Sequence, residues 1–224
     1  DFSRIVLINT TSSPSFKFIT DLKAVSVKPK WSPNKKNFAF ISERNNKKNL
    51  WISNDEGSEL EIANYNNREV ERFEWAPNSE EIAIEFKPNA DEANIFLYSL
   101  NLKNFLPITR PDKVANLGSW SPDSKWIVFN INDSIYLSNP KGVNEIFITK
   151  GSNPIWSPNG EYLIFNRTEK QNKSIWIYKD IDKVVDNTGK ENNKNNYFGE
   201  NIDINHVINS IEYAWAFGGN KILY

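Results

Sequence analysis

An all-β fold made of repeated small sheets is predicted by three features of this 224-residue sequence. A short motif, Trp-Ser/Ala-Pro-Asn/Asp, recurs at intervals that match the length of one four-stranded sheet. Each copy is followed by short runs of β-branched and aromatic residues, which is the composition of β-strands. The two ends of the sequence carry complementary halves of the same unit. Together these features predict a β-propeller, a ring of such sheets, or blades, around a central channel.

The motif is the clearest repeat. Its four full copies begin at Trp31, Trp75, Trp120 and Trp156, with spacings of 44, 45 and 36 residues, and a degenerate copy begins at Trp215. A period of about 40–45 residues with four strands is typical of a propeller blade. We name the strands of a blade A to D, from the channel outward. The tryptophan is predicted to pack between blades, because an indole fills a large volume and needs one hydrogen-bond partner. The Pro and the Asn or Asp are predicted to form the turn from strand A to strand B.

Strand B is predicted from an apolar triplet that follows each tryptophan at a constant distance. A strand whose two faces are both covered reads as a continuous apolar run. The next run, rich in Ile, Tyr and Trp, is assigned to strand C, and a looser run is assigned to strand D. The triplets are residues 38–40, 82–84, 127–129, 163–165 and 222–224.

The ends of the sequence are predicted to close the ring. Residues 4–9 and 16–20 read as strands C and D without A and B, and residues 210–215 and 221–224 read as strands A and B without C and D. Pairing strand 4–9 with strand 221–224 would join the halves into one shared blade and close a five-bladed ring. The alternative, a fragment of a six- or seven-bladed ring, leaves the complementary halves unexplained.

The whole chain, 1–224, is therefore assigned to a single propeller domain. One segment, 180–200, breaks the period. It is polar and rich in Asn and Lys, and is predicted to be a long C–D loop of the fourth blade. Residues 201–205 are predicted to be the delayed strand D of that blade. The predicted blades are residues 21–64, 65–109, 110–149, 150–205, and 206–224 together with 1–20.

Composition argues against several classes of function. Lys and Arg number 27 against 28 Asp and Glu, and the resulting net charge of −1 argues against a nucleic-acid-binding surface. The absence of Cys excludes thiol catalysis and disulfides, and a single His excludes a multi-His metal site. No apolar run approaches the roughly 18 residues of a membrane span. We therefore predict a monomeric, non-enzymatic protein without cofactor, metal, nucleic-acid partner or membrane insertion.

The repeated unit resembles the TolB-type propeller repeat, a WD-repeat-like module. The segment 150–180 resembles it best, and the resemblance covers nearly the whole chain. It implies a propeller that is exported, to the periplasm or the extracellular space, and that often binds proteins. The Gly that usually follows the motif is present only as Gly160. The other three copies carry a larger residue at that position: Lys35, Ser79 and Ser124.

Candidate binding residues are charged side chains predicted on one face of the ring, where the B–C and D–A loops meet. Arginine is a frequent anchor of protein interfaces and pairs with carboxylates in a bidentate geometry. Glu43 and Glu169 are acidic candidates in two B–C loops, and the only histidine, His206, is predicted in a D–A loop. The arginine candidates are Arg44, Arg72, Arg110 and Arg167.

These features predict a non-enzymatic binding or scaffold module that presents a loop-rich face to a protein or peptide partner, because variable loops on a rigid scaffold commonly serve recognition. Two alternatives remain. One is an extracellular carbohydrate-active or sugar-binding propeller, in which convergent carboxylates would act on a sugar. The other is an accessory propeller domain of a larger hydrolase.

Overall fold

The fold of the chain is all-β, as predicted. β-Strands dominate, with one turn of 3-10 helix, η1 (Tyr65–Asn67). Within the described ranges, no helix is both long enough and apolar enough to span a membrane. The computed structural model describes residues 3–11, 13–21, 24–62, 65–89, 92–169, 172–179, 181, 200–201, 213–216, 218 and 221–223.

The first part of the chain forms one hairpin and two antiparallel sheets of consecutive strands. The N-terminal hairpin consists of β1 (Val6–Asn9) and β2 (Ser15–Phe18). Sheet 1 consists of β3 (Val25–Trp31), β4 (Asn37–Arg44), β5 (Lys47–Asn54) and β6 (Glu59–Glu61). Sheet 2 consists of β7 (Val70–Trp75), β8 (Glu81–Phe86), β9 (Ile95–Ser99) and β10 (Asn104–Pro107).

The second part of the chain repeats this arrangement. Sheet 3 consists of β11 (Ala115–Trp120), β12 (Ile127–Ile131), β13 (Ser134–Ser138) and β14 (Ile146–Lys150). Sheet 4 consists of β15 (Ser152–Trp156), β16 (Tyr162–Glu169), β17 (Asn172–Lys179) and β18 (Glu200–Asn201). The C-terminal hairpin consists of β19 (Ala214–Trp215) and β20 (Ile222–Leu223). Within each sheet the strands pair in chain order, so they correspond to strands A to D.

The fourth sheet contains the irregular segment of the sequence. Its last strand, β18, pairs with β17 through Glu200 and Asn201, so it begins one residue before the predicted strand 201–205. Residues 202–205, and all of the predicted loop 180–200 except residues 181 and 200, lie outside the described residues.

The motif forms the turn between strands A and B, as predicted. In sheet 3 the hydroxyl of Ser121 donates to Oδ1 of Asp123 (2.6 Å) and accepts the backbone N–H of Trp126 (2.9 Å). The same carboxylate oxygen accepts the N–H of Lys125 (3.1 Å). Sheets 1 and 4 repeat these contacts with an asparagine in place of the aspartate. The Asn or Asp side chain therefore caps the turn.

The residue after the motif has a left-handed backbone in all four sheets. Its φ is 60° at Lys35, 64° at Ser79, 61° at Ser124 and 77° at Gly160. Glycine adopts this conformation freely, whereas a side chain makes it unfavourable. The two serines offset part of the strain, because each hydroxyl accepts the backbone N–H of the motif asparagine in the preceding sheet (3.0 Å). Lys35 has no hydroxyl and therefore cannot make this bond.

Replacing Lys35 with Gly is expected to raise the free energy of unfolding by about 0.5–1 kcal/mol, because the relief of backbone strain exceeds the added entropy of the unfolded chain. Lys36→Gly is the control, since φ of Lys36 is outside the left-handed region. That change is expected to lower the stability by up to about 1 kcal/mol. Urea denaturation measures both changes. A Lys35→Gly variant less stable than the original protein would contradict the expectation.

Three of the four full-motif tryptophans pack between sheets, as predicted. Trp75, Trp120 and Trp156 are all buried. The indole N–H of Trp75 donates to the carbonyl of Lys30 in sheet 1 (3.0 Å), and that of Trp120 donates to the carbonyl of Glu74 in sheet 2 (3.2 Å). Each acceptor directly precedes the tryptophan of the earlier sheet. The same bond thus joins sheet 1 to sheet 2 and sheet 2 to sheet 3, whereas the buried indole N–H of Trp156 has no hydrogen-bond partner among the described residues.

Trp31 departs from this prediction. Its side chain is 47% exposed, against 5–8% for the other three full-motif tryptophans. Trp31 belongs to the first full sheet, so a buried position would require a sheet that precedes it around the ring. Its exposure therefore depends on how the chain ends are arranged.

The hairpins at the chain ends pack on opposite ends of the stack of sheets. In the N-terminal segment, Ile5 packs against Phe38 and Phe40 of sheet 1. In the C-terminal hairpin, the indole N–H of Trp215 donates to the carbonyl of Ile155 in sheet 4 (3.5 Å). Each hairpin thus occupies the place of a neighbouring blade.

The predicted closure of the ring is not confirmed. β1 pairs with β2, and β20 pairs with β19. No ladder among the described residues joins the two hairpins, so strand 4–9 is not paired with strand 221–224 in this structure.

Candidate functional site

Four site residues that were predicted to lie in B–C loops lie in strands. Glu43 and Arg44 end β4, and Arg167 and Glu169 lie at the end of β16. Their predicted placement in B–C loops is wrong, because the antiparallel ladders extend further than the apolar runs. The ladder between β4 and β5 continues to Arg44 itself, which leaves a turn of residues 45–46. In sheet 4 the ladder continues to Glu169.

Two of the predicted arginines stack on tryptophans. The guanidinium carbon of Arg44 lies 3.6 Å from the ring centroid of Trp51, and that of Arg167 lies 4.6 Å from the ring of Trp176. Nε of Arg44 also donates to the hydroxyl of Ser42 (3.2 Å). Such stacking combines cation–π attraction with packing of the flat guanidinium, and it restricts where the cation lies. Both arginines lie near the B–C ends of their sheets. We use the term loop face for these B–C ends together with the D–A connections.

Two other predicted residues, Arg110 and His206, do not take part in the Arg–Trp stacks. Arg110 forms an ion pair with Glu145 (Nε to Oε2, 3.5 Å), and its backbone N–H donates to Oε1 of the same side chain (3.0 Å). Glu145 directly precedes β14, so Arg110 connects to the outer strand of the next sheet. His206 lies outside the described residues.

Arg72 connects two sheets near the channel. Its guanidinium donates to the carbonyl of Leu117 in β11 (2.8 Å). Opposite Arg72 in the ladder is Glu85, and Oε2 of Glu85 accepts the N–H of the same Leu117 (2.7 Å). Both backbone polar groups of Leu117 in sheet 3 are thus hydrogen-bonded to charged side chains of sheet 2, Arg72 and Glu85. Burial raises the pKa of Glu85, and the Leu117 N–H and Arg72 oppose that shift.

Glu85 was not a candidate from the sequence, although a signal exists. It is the first residue after the apolar triplet of strand B. At this position sheets 3 and 4 also have a polar residue, Asn130 and Asn166, whereas sheet 1 has Ile41. In sheet 3 that residue, Asn130, accepts the N–H of Asn153 in sheet 4 (3.1 Å) in the same way. A polar residue repeated at the end of an apolar triplet therefore marks an inter-sheet bond.

A cavity of about 550 Å³ lies beside these contacts, and we call it the channel cavity. Strands A of sheets 2, 3 and 4 form its wall. The hydroxyl of Tyr213 donates to the carbonyl of Asn153 there, and burial raises the pKa of Tyr213. One carboxylate in the wall, Glu74, is paired with Lys30 of sheet 1. The lining residues are Arg72, Glu74, Leu117, Gly118, Ser119, Asn153, Pro154, Ile155 and Tyr213.

Arg68 is a second charged residue that sequence analysis missed. It is 7% exposed, and its guanidinium donates to the carbonyls of Lys87 (2.8 Å) and Ala93. It also pairs with Glu92 (3.5 Å). Burial lowers the pKa of Arg68, and the carboxylate of Glu92 opposes that shift. No local pattern distinguishes Arg68 from a surface arginine, because its partners belong to a connection about twenty residues later.

The charged groups of the candidate site are paired or stacked in the described part of the chain. No three His, Asp or Glu side chains among the described residues are grouped closely enough to hold a metal ion. The carboxylates in and beside the channel cavity contact Lys30 or the backbone of Leu117. The cavity offers hydrogen-bond donors, acceptors and the opposite charges of Arg72 and Glu74, and the two Arg–Trp stacks add two cations.

A comparison with family models finds the TolB beta propeller domain, which matches residues 13–184. This match covers more than half of the chain and contains all four full motif copies. It agrees with the repeated four-stranded sheets.

Solved structures with the same fold include three with different roles. TolB from Acinetobacter baumannii has a TM-score of 0.58 and 14% identity over 75% of this chain and 44% of its own. The β-propeller domain of the Trilobed protease from Pyrococcus furiosus, described as having an open velcro topology, has a TM-score of 0.56 and 14% identity over 80% and 60%. Acylaminoacyl peptidase from Pyrococcus horikoshii has a TM-score of 0.58 and 17% identity over 79% and 34%. At these identities the likeness concerns the fold, and the chain spans less than two thirds of each of them.

Proposed function

The chain belongs to the TolB beta-propeller family, and from that membership we propose that it is a non-enzymatic binding module whose loop face receives a protein or peptide partner. The observation that carries the proposal is the pair of Arg–Trp stacks, Arg44 on Trp51 and Arg167 on Trp176. An arginine held flat on an indole loses less side-chain entropy when it binds a carboxylate, so it is a suitable interface anchor. From the same family membership we also propose that the protein is exported.

The positions of the two stacks support a single partner that contacts both sheet 1 and sheet 4. Both lie at the B–C ends of their sheets, where connections vary in length and charge from one sheet to the next. The A–B turns on the opposite face repeat the same side-chain hydrogen bonds in sheets 1, 3 and 4. Uniform turns serve the fold, whereas variable connections on a rigid scaffold are free to serve recognition.

The test is selection of a random peptide library on the immobilised protein, followed by affinity measurements on the selected peptides. The double variant Arg44→Ala, Arg167→Ala is expected to weaken binding at least about tenfold, the effect of one lost charged hydrogen bond. The matched control, Lys36→Ala with Lys125→Ala, removes two cations from the A–B turns and is expected to leave affinity unchanged. Binding that survives the arginine changes and fails in the control places the partner on the opposite face. Glycan hydrolysis that depends on Glu43 or Glu169 would instead favour a carbohydrate-active propeller.

The larger size of the peptidase neighbour supports a second candidate. This chain matches 34% of the acylaminoacyl peptidase. The chain would then be an accessory propeller of a larger hydrolase, and the loop face would be directed at another domain of the same protein. Peptide selection on the isolated chain would then yield no binder that depends on Arg44 and Arg167.

We further propose that the ring closes with five blades, the fifth made from the two hairpins. The hydrogen bonds of each hairpin match one half of a blade. In the N-terminal segment, Ile19 N–H donates to Ile5 O (2.9 Å), as Ile108 donates to Ile95 in strands D and C of sheet 2 (2.9 Å). In the C-terminal hairpin, Ala216 N–H donates to the carbonyl of residue 221 (2.8 Å), which is the A–B turn bond of sheets 1 to 4.

The exposed apolar surfaces of the hairpins support closure. Ile8 is 65% and Leu223 67% exposed, although strands C and B of sheets 1 to 3, to which they correspond, are largely buried. In a closed ring these side chains would lie between blades. The indole of Trp31 would then meet the carbonyl of Ala214, the residue before Trp215, and repeat the Trp–carbonyl bond of sheets 2 and 3.

Closure can be tested with a disulfide, because the chain contains no Cys. Superposing the bond pattern of sheet 2 on the hairpins places Leu7 opposite Leu223, as Leu97 is opposite Ala83. The double variant Leu7→Cys, Leu223→Cys is expected to form an intramolecular disulfide under mild oxidation. Leu102→Cys with Leu223→Cys is the control and is expected to remain reduced. Disulfide-linked dimers, or no disulfide, would contradict closure.

A further inference from the structure

We propose that the channel cavity binds a zwitterionic peptide of about two residues, with Arg72 holding its carboxylate and Glu74 holding its ammonium group. This site is separate from the loop-face stacks of Arg44 and Arg167, so it does not depend on the proposed partner. The cavity volume of about 550 Å³ is within the range of small-ligand sites.

The spacing of the two charges selects the ligand length. Arg72 and Glu74 are two residues apart on β7, so their side chains lie on the same face of the strand, and both line the cavity. Their Cα atoms are about 6.6 Å apart in an extended strand. The terminal nitrogen and carboxyl carbon of an extended dipeptide are separated by about 6–7 Å. In a single amino acid both charged groups are attached to one carbon, so the molecule is too short to contact both Arg72 and Glu74.

The two side chains are positioned by contacts that leave donors and acceptors for a ligand. Arg72 donates through one terminal nitrogen to the carbonyl of Leu117, and a guanidinium has five N–H groups. The ammonium of Lys30 bonds to Oε1 of Glu74 and to the carbonyl of Phe73 (3.4 Å). A carboxylate accepts several hydrogen bonds, so a ligand ammonium can join Lys30. The guanidinium and the carboxylate are therefore oriented before the ligand arrives.

Both charges together argue for a zwitterion. Arg72 offers a cation to a ligand carboxylate, and the carboxylate of Glu74, which already pairs with Lys30, can accept a further hydrogen bond from a ligand ammonium. A ligand with both charges satisfies the two side chains at once. Neutral polar contacts are available from Ser119, whose Oγ accepts the N–H of Trp156 (2.9 Å), and from Tyr213. The remaining hydroxyl donor of Ser119 can reach a peptide carbonyl.

A longer extended chain is excluded by the wall of the cavity. A peptide that adds to a sheet edge needs unpaired backbone groups on that edge. Both backbone groups of Leu117 are already bonded, to Glu85 and to Arg72. Those of Asn153 are likewise bonded by Asn130 and Tyr213. Recognition therefore comes from the side chains in the cavity and from the two ends of the ligand.

The proposal is tested by isothermal titration with three ligands: dialanine, N-acetyl-dialanine and dialanine amide. Dialanine is expected to bind, and each blocked form is expected to bind at least about tenfold more weakly, because each lacks one charge. Loss of affinity with only one of the two blocked forms would overturn the assignment of a zwitterion. No binding of dialanine at about 10 mM, or equal binding of all three, would overturn the site.

Variants locate the site independently of ligand chemistry. Glu74→Gln and Arg72→Gln are each expected to weaken dialanine binding at least about tenfold. Lys48→Gln, an exposed cation on β5, is the control and is expected to leave binding unchanged. Arg72→Gln also removes an inter-sheet bond, so Glu74→Gln and the blocked ligands decide the outcome if that variant unfolds. The Arg44→Ala, Arg167→Ala protein is expected to bind dialanine normally, which separates failure of this proposal from failure of the loop-face proposal.

Discussion

Replacing Trp120 with Ala is expected to lower the free energy of unfolding by about 3–5 kcal/mol, the usual cost of removing a buried aromatic side chain. Trp120 is 5% exposed and packs between sheets 2 and 3. The change also leaves the carbonyl of Glu74 without its indole partner. Chemical denaturation followed by circular dichroism measures the loss. A loss below about 1 kcal/mol would contradict the role of Trp120 in inter-sheet packing.

Trp31→Ala is the matched comparison, because it removes the same side chain from the same motif position. Trp31 is 47% exposed. If the ring closes as we propose, the cost is expected to approach that of Trp120→Ala. A cost below about 1 kcal/mol, the usual range for surface substitutions, would contradict closure and leave the interpretation of Trp120 intact.

Replacing Arg68 with Ala is expected to cost about 3–5 kcal/mol, the range for removing one partner of a buried charged network. The change leaves the carbonyls of Lys87 and Ala93 without their donor and Glu92 without its cation. Arg68→Lys keeps the charge but not the fork of donors, so it is expected to recover less than half of the loss. Thermal and urea unfolding measure both variants.

Arg110→Ala is the control for Arg68. Arg110 also pairs with a glutamate, but its side chain is 59% exposed, and such surface pairs contribute about 0–1 kcal/mol. A loss at Arg110 equal to that at Arg68 would show that the buried carbonyl contacts of Arg68 do not account for its effect.

The repeated elements could be predicted from the sequence because they depend on neighbours within one unit. The capped turn at Ser121 and Asp123 is an example, since all of its hydrogen bonds connect residues at most five positions apart. The apolar triplets likewise mark strand B through local pattern alone. The ends of the strands could not be predicted in this way. Arg44 and Glu169 read as loop residues, because a ladder can continue through polar residues once its partner strand is in place.

The candidate site was predicted less well, because its contacts join different sheets. Arg72 was a candidate for partner binding, and the structure shows it bonded to Leu117, 45 positions later. Arg68 was missed because its partners belong to a later connection that no local pattern identifies. Glu85 was missed although its position directly after an apolar triplet is a signal, because its partner Leu117 belongs to another sheet. The channel cavity itself has no counterpart in the sequence. Its wall is assembled from strands of three sheets and from Tyr213.

The sequence by itself determined that the chain is a TolB-type propeller of four-stranded sheets. The turn motif, the succession of strands and the repeat length are all properties of residues that lie close together in the chain. Only the tertiary structure decided which of the repeated residues are buried and which charges meet. Trp31 and Trp120 occupy the same motif position, yet one is exposed and the other is buried. The physical reason is that burial depends on a neighbouring sheet about 45 residues away: Trp120 packs against sheet 2, whereas no four-stranded sheet among the described residues precedes the sheet of Trp31.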